Sequence, residues 1–121
     1  MAHGSVNWFQ IDTADTEGTE RFYGELFDWT FTNDPNTPAY RLVTQKGAAA
    51  PHGGVFGGTE NRAAFFVVVS DVAAAVAQAE ELGGKVVNPP VTTPNGLTFA
   101  HLLDPSGNHF GVFTPPASHE V

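Results

Sequence analysis

The chain has no cysteine, and its 121 residues include only five lysines and arginines against thirteen aspartates and glutamates. Without cysteine there is no disulfide framework, no thiolate nucleophile and no cysteine-based metal site. The formal net charge of −8 leaves no basic cluster to grip a phosphate backbone, which argues against nucleic acid as a partner. The acidity itself reads either as simple solubility or as an attraction for a cationic ligand. No apolar run approaches the ~18 residues of a membrane span. The opening MAHGSVNWFQ lacks the basic and apolar regions of a signal peptide, so a cytoplasmic location and no membrane partner are expected. Two common catalytic devices are missing as well. Gly53, Gly54, Gly57 and Gly58 have no Lys-Ser/Thr pair and no following helix to make a phosphate loop. Ser5, Ser70, Ser106 and Ser118 have none of the GxSxG context of a nucleophile elbow.

What is present suits a globular chain: 41% hydrophobic and 15% charged residues, at a length that makes one domain with a single real core. The main organising signal is an internal repeat. Asp15 precedes a helical pattern ending near Leu26, and Asp71 precedes another ending near Leu82; both pairs are offset by 56 residues. Each Asp is placed to cap its helix by accepting first-turn amide bonds. Phe22, Tyr23, Leu26 and Phe27 share one face of the first helix. Val72, Val76, Ala79 and Leu82 share one face of the second, and Gly83-Gly84 stops it. A strand precedes each helix (VNWFQID and AFFVVV) and three strand-like stretches follow it. After the first helix these are WTFTN, YRLVTQ and HGGVFGG; after the second, KVVN, LTFAHLL and HFGVF. The expected fold class is α+β: two tandem βαβββ modules, about residues 5–58 and 63–114, in one domain over 1–121. Two curved sheets with the helices outside and a cavity between them would bury the sheet faces economically.

Several stretches then resemble the vicinal oxygen chelate superfamily, which includes glyoxalase I, extradiol dioxygenases, fosfomycin-resistance enzymes and bleomycin-resistance proteins. They are the first strand leading through Asp15 to RFYGELFDW, the second-module stretch FFVVVSDVAAAVAQAEELGGKVV, and the closing DPSGNHFGVF. The resemblance runs from about Val6 to about Thr114 and respects the repeat. It implies the sheet cup and, commonly, a homodimer. In metal-dependent members, four strand positions supply His, Glu or Gln ligands to one divalent ion. Here the first-strand positions, counted back from the capping Asp, correspond to Trp8 and Phe65. On the closing strands they fall on Gly111 and on a glycine within His52-Gly53-Gly54-Val55. Indole, phenyl and hydrogen side chains donate no lone pair to a metal, so no metal and no other cofactor is expected.

By strand alternation Trp8 brings Gln10 and Asp12 to the cavity, Phe65 brings Val67 and Val69, and Gly111 brings His109 and Phe113. Apolar walls with a few polar groups describe a small-molecule pocket. The expected ligand-binding set is Trp8, Gln10, Asp12, Phe65, Val67, His101, His109 and Phe113. Trp8 and Phe65 read equally as core aromatics, and the glycine-rich stretch as close backbone packing. Of the five histidines, His3 and His119 read as tail residues and His52 as loop packing. His101 faces either side of its strand. His109 and Asp12 are the candidates for acid–base chemistry. The leading expectation is a metal-free protein that binds a small, partly aromatic molecule, as bleomycin-resistance proteins do. The alternative is a lyase, isomerase or dioxygenase-type enzyme, working by that acid–base chemistry or with a divalent metal at a relocated site of His101, His109 and Asp12. A third reading is a structural role with a collapsed cavity.

Overall fold

A computed structural model describes residues 3–116. Two helices and eight strands run in the order β1 Val6–Thr13, α1 Thr16–Phe27, β2 Thr30–Asn33, β3 Tyr40–Thr44, β4 Gly53–Gly57, β5 Arg62–Val68, α2 Val72–Glu81, β6 Lys85–Thr92, β7 Thr98–Leu103 and β8 His109–Thr114. The class is α+β and the order is βαβββ twice, as the repeat requires. Among the described residues no helix is long and apolar enough to cross a membrane. The described residues form two compact units, Trp8–Ala63 and a second made of 64–116 with 3–7.

In the first unit the strands lie in the order β2-β3-β4-β1. The first two pairings are antiparallel and β4/β1 is parallel. Asp15 caps α1: its Oδ1 accepts from the Gly18 amide at 3.0 Å, and its own amide donates to Thr13 Oγ1 at 3.0 Å. Gly18 leaves that carboxylate room: a Cβ there would push the Asp15 side chain aside. The helix ends at Asp28, in the left-handed region at φ 60°, whose amide bonds the Gly24 carbonyl. α1 is anchored by rings: Trp29 stacks on Tyr23 at 5.3 Å and meets Phe27 at 5.3 Å and Phe9 at 5.4 Å. Arg41 of β3 forks onto Glu20 at 2.9 and 3.1 Å, which holds its guanidinium above its ordinary pKa. Even so, α1 has no buried residue within this chain, and Phe22, Leu26 and Phe27 stay 60%, 58% and 49% exposed.

In the second unit the order is β5-β8-β7-β6, with β5/β8 parallel and the other pairs antiparallel. Asp71 caps α2 by accepting from the Ala74 amide at 3.1 Å. Gly83, at φ 96°, and the Gly84 amide, bonded to the Ala79 carbonyl at 2.8 Å, end it. Val72 and Val76 of α2 pack into a core with Val69, Ala100, Leu102 and Val112. β6 runs further than the KVVN stretch foretells, through Pro89-Pro90 to Thr92, with its register shifting between Asn88 and Val91. Proline is tolerated because β6 ends the strand order and the ladder is broken there.

Candidate functional site

In the first unit, Phe9 packs with the α1 rings through Trp29, so alternation turns Trp8, Gln10 and Asp12 to the opposite face of β1. Trp8 Nε1 donates to the Tyr40 hydroxyl at 2.9 Å. Burial pushes the Tyr40 phenol pKa well up, opposed by that bond and reinforced by the Asp34 and Asp12 charges, so the hydroxyl keeps its proton. The Tyr40 ring lies over Gly54, where any Cβ would run into it, and meets the Phe56 ring at 6.4 Å. Phe56 is the register partner of Asp12. Asp12 is 9% exposed; its Oδ1 accepts from Gln10 Nε2 at 2.7 Å and its Oδ2 from Arg62 Nε at 2.8 Å. Arg62 also reaches Glu60 at 3.3 Å. A cavity of about 300 Å³ opens here between Asp12, Phe56, Arg62 and the loop Gly57-Gly58-Thr59-Glu60. A shallow, open depression of about 400 Å³ lies beside α1, between Glu20, Arg21, Trp29 and Arg41, where the Arg41–Glu20 fork holds helix to strand.

In the second unit Ala100, Leu102 and Val112 pack with α2, so His101, His109, Gly111 and Phe113 look the other way. His101 and His109 meet: Nδ1 of the first lies 3.1 Å from Nε2 of the second, with ring centroids 5.0 Å apart. The contact needs one ring as donor and the other as acceptor, so it holds a neutral imidazole in place. Phe66 and Phe99 lie nearly perpendicular to the buried His101 ring at 5.3 and 5.8 Å, and Phe66 meets Phe113 at 6.4 Å. The Phe66 ring lies over Gly111, where any Cβ would run into it.

One expectation is corrected. Phe65 and Val67 do not share a face with His109, Gly111 and Phe113. Phe65 stacks on Phe110 at 5.9 Å, while Phe110 and Val67 pack against the α2 core and Val69 lies inside it. The repeat offset explains this: 56 residues carry Trp8 to Ala64 and Gln10 to Phe66. A one-residue slip exchanges every side chain between faces. The side chains missed on this face are Phe66 and Phe99; in the first unit Tyr40, Phe56 and Arg62 were missed. The expected tail residue His3 is held, its Nδ1 accepting from the Ser70 amide at 3.1 Å. His119 lies outside the described residues. His52 is exposed, and its backbone joins Val43 and Phe9. The glycine-rich stretch does pack closely: a Cβ on Gly53 would enter the Phe9 ring, and one on Gly57 would sit 2.9 Å from Thr16 Oγ1.

These positions do not fit a metal ion of the superfamily's kind. The Trp8 indole offers a donor hydrogen, already given to Tyr40. Gly54 and Gly111 carry no ligand, and each lies under a ring that fills the space of a carboxylate side chain. Among the described residues, no group of three or more His, Asp or Glu side chains is arranged to hold a metal.

Comparison with known proteins agrees with this architecture. The profile of a glyoxalase-like domain matches residues 8–113. The chain is 34% identical over 113 residues to the anthracycline biosynthesis protein DauV of Streptomyces sp. (strain C5), covering 90% of this chain and 41% of that protein. It thus spans less than half the length of this curated relative. Among solved structures, the Mn(II)-bound glyoxalase from Novosphingobium aromaticivorans superposes with a TM-score of 0.68 at 21% identity, over 95% of this chain and 40% of that one. Methylmalonyl-CoA epimerase from Mycobacterium tuberculosis superposes with a TM-score of 0.65 at 14% identity, over 98% and 94% of the two chains. At these identities the likeness is one of fold. The chain belongs to the glyoxalase-like domain family of the vicinal oxygen chelate superfamily.

Proposed function

We propose that this protein binds a small, partly aromatic organic molecule without a metal. The observation that carries the reading is the pair of ring-covered glycines: Tyr40 over Gly54 and Phe66 over Gly111 occupy the space where ligand carboxylates would stand. In the first unit, the same exchange lays an aromatic row, Trp8–Tyr40–Phe56, beside the polar group of Gln10, Asp12 and Arg62. Aromatic walls with a few fixed polar groups suit a flat, functionalised ring. The relative's name makes anthracycline-type compounds the first to screen. The protein acts in the cytoplasm, with no nucleic-acid or membrane partner, as a homodimer whose second copy covers exposed Phe22, Leu26 and Phe27. Native mass spectrometry of protein purified without chelator tests this: dimer mass, no stoichiometric metal and binding of a screened aromatic support it. In titrations of that aromatic, Trp8→Ala should then weaken binding by about 1–3 kcal/mol. A bound divalent metal, or affinity unchanged by Trp8→Ala, would overturn it.

The His101–His109 contact favours a second reading, in which His109 moves a proton on a bound substrate while His101 fixes its tautomer. Lyase or isomerase turnover abolished by His109→Gln would support it.

A further inference from the structure

The structure assigns a binding preference to the cavity at the end of the first unit's aromatic row: its rim is selective for a single-ring amine, bound as the ammonium. This rests on the binding reading above and names the class of ligand. The floor is Asp12, whose side chain is 10% exposed and which takes both the Gln10 amide and the Arg62 Nε. Arg62 therefore spends its charge inward, on a nearly buried carboxylate. Glu60 shares that cation only at 3.3 Å, and its side chain is 68% exposed. Two carboxylates around one guanidinium leave the rim one negative charge in excess, on the more exposed partner. Phe56, 38% exposed, supplies an aromatic wall beside it. A carboxylate next to an open ring attracts an alkylammonium through ion pairing and the ring quadrupole together. The volume of about 300 Å³ suits one ring and a short arm, and the chain's net charge of −8 steers cations towards it.

A matched pair of probes tests this. Tyramine and 4-ethylphenol differ only in the ammonium group, and calorimetry on the full chain gives both affinities. Tyramine should bind about tenfold more tightly, equivalent to about 1.4 kcal/mol. Glu60→Gln should bring the two probes together while leaving 4-ethylphenol unchanged. Glu81→Gln, on α2, removes the same charge elsewhere and should keep the preference. Equal affinities in the unaltered protein would overturn the amine selectivity while leaving the binding reading standing. So would a Glu60→Gln effect no larger than that of Glu81→Gln. Absence of binding by either probe at roughly 10 mM, the range of very weak ligands, would overturn the inference. The aromatic screen and Trp8→Ala would still decide the broader reading separately.

Discussion

The two units share one plan and use their helices differently. α2 buries Val72 and Val76 in an aliphatic core with Leu102 and Val112, whereas α1 buries no residue and shows Phe22 and Leu26 to solvent. What holds α1 is a ring cluster around Trp29 and the Arg41–Glu20 fork. The strand faces turned away from the helices differ too. In the first unit that face carries charge, with Asp12, Arg62 and Gln10 linked; in the second it carries two histidines among phenylalanines. A duplicated scaffold thus keeps its cap positions and strand order while the residues on both faces diverge. The second unit packs its helix into a conventional core, and the first leaves the apolar side chains of its helix exposed within this chain.

The sharpest way to break that contrast is to truncate one side chain in each unit. Leu102, 1% exposed, should cost about 2–5 kcal/mol as Leu102→Ala, through lost burial and the cavity left behind. Phe22→Ala, on the exposed face of α1, should change the stability of dilute, monomeric protein by no more than about 0.5 kcal/mol. Urea unfolding of both variants measures the pair, and similar losses would erase the distinction. A second test joins the covered glycine of the second unit to its ring. Gly111→Ala places a methyl group where Phe66 lies, so it should cost about 1–3 kcal/mol, in the range of overpacked cores. Added to Phe66→Ala, it should cost far less than it does alone, because the ring it strikes is gone. Additive losses would mean that Phe66 does not set the limit on that position.

The elements were legible because their signals are local. Asp15 and Asp71 each precede an amphipathic run, turn residues separate the strands, and the 56-residue offset pairs the modules. The faces were legible only where alternation started from the right residue. It did for Trp8, Gln10 and Asp12; starting from Phe65 rather than Ala64 or Phe66, it took the wrong side of β5. The partners were not legible. Asp12 meets Arg62 across 50 residues, Trp8 meets Tyr40 across 32, and the Tyr40 ring settles on a glycine in the next strand. Nothing in a local pattern specifies which distant ring fills the gap above a glycine. The meeting of His101 and His109 lay between these cases: they are eight residues apart on paired strands, but the shared face depended on which way His101 points.

The two helix caps provide a finer comparison, because here the units should agree. Asp15→Ala and Asp71→Ala each remove one side-chain bond to a first-turn amide, at 3.0 and 3.1 Å. Each should cost about 1 kcal/mol. A markedly larger loss for Asp15 would show that α1, lacking buried residues, leans more heavily on its cap than α2 does. Thermal unfolding of the two variants side by side reads that difference.

The smallest effect belongs to the second unit alone, in the turn before β8. Asp104 Oδ1 accepts from the Ser106 and Asn108 amides, each at 2.9 Å, and its Oδ2 from Asn108 Nδ2 at 3.0 Å. The Gly107 amide adds a bond to the Asp104 carbonyl at 2.9 Å, and φ 91° at that glycine turns the chain back so that the Asn108 carbonyl accepts from the Asp104 amide at 2.9 Å. The bonds from Asn108, side chain first and then backbone, hold the Asp104 carboxyl below its ordinary pKa, helped by Ser106 and Gly107. Since the folded pKa is the lower one, the turn's contribution is fully present above the unfolded value of about 3.9. It should fade as pH falls through the folded value. The carboxylate is fully exposed, so water and salt screen its bonds and the effect on global stability should be slight. Carboxyl-detected NMR titration should find Asp104 titrating below an ordinary aspartate. Asn108→Ala should move it back up, since the leading bond is lost. An Asp104 midpoint unmoved by Asn108→Ala would mean that the backbone amides alone hold the turn in its charged form.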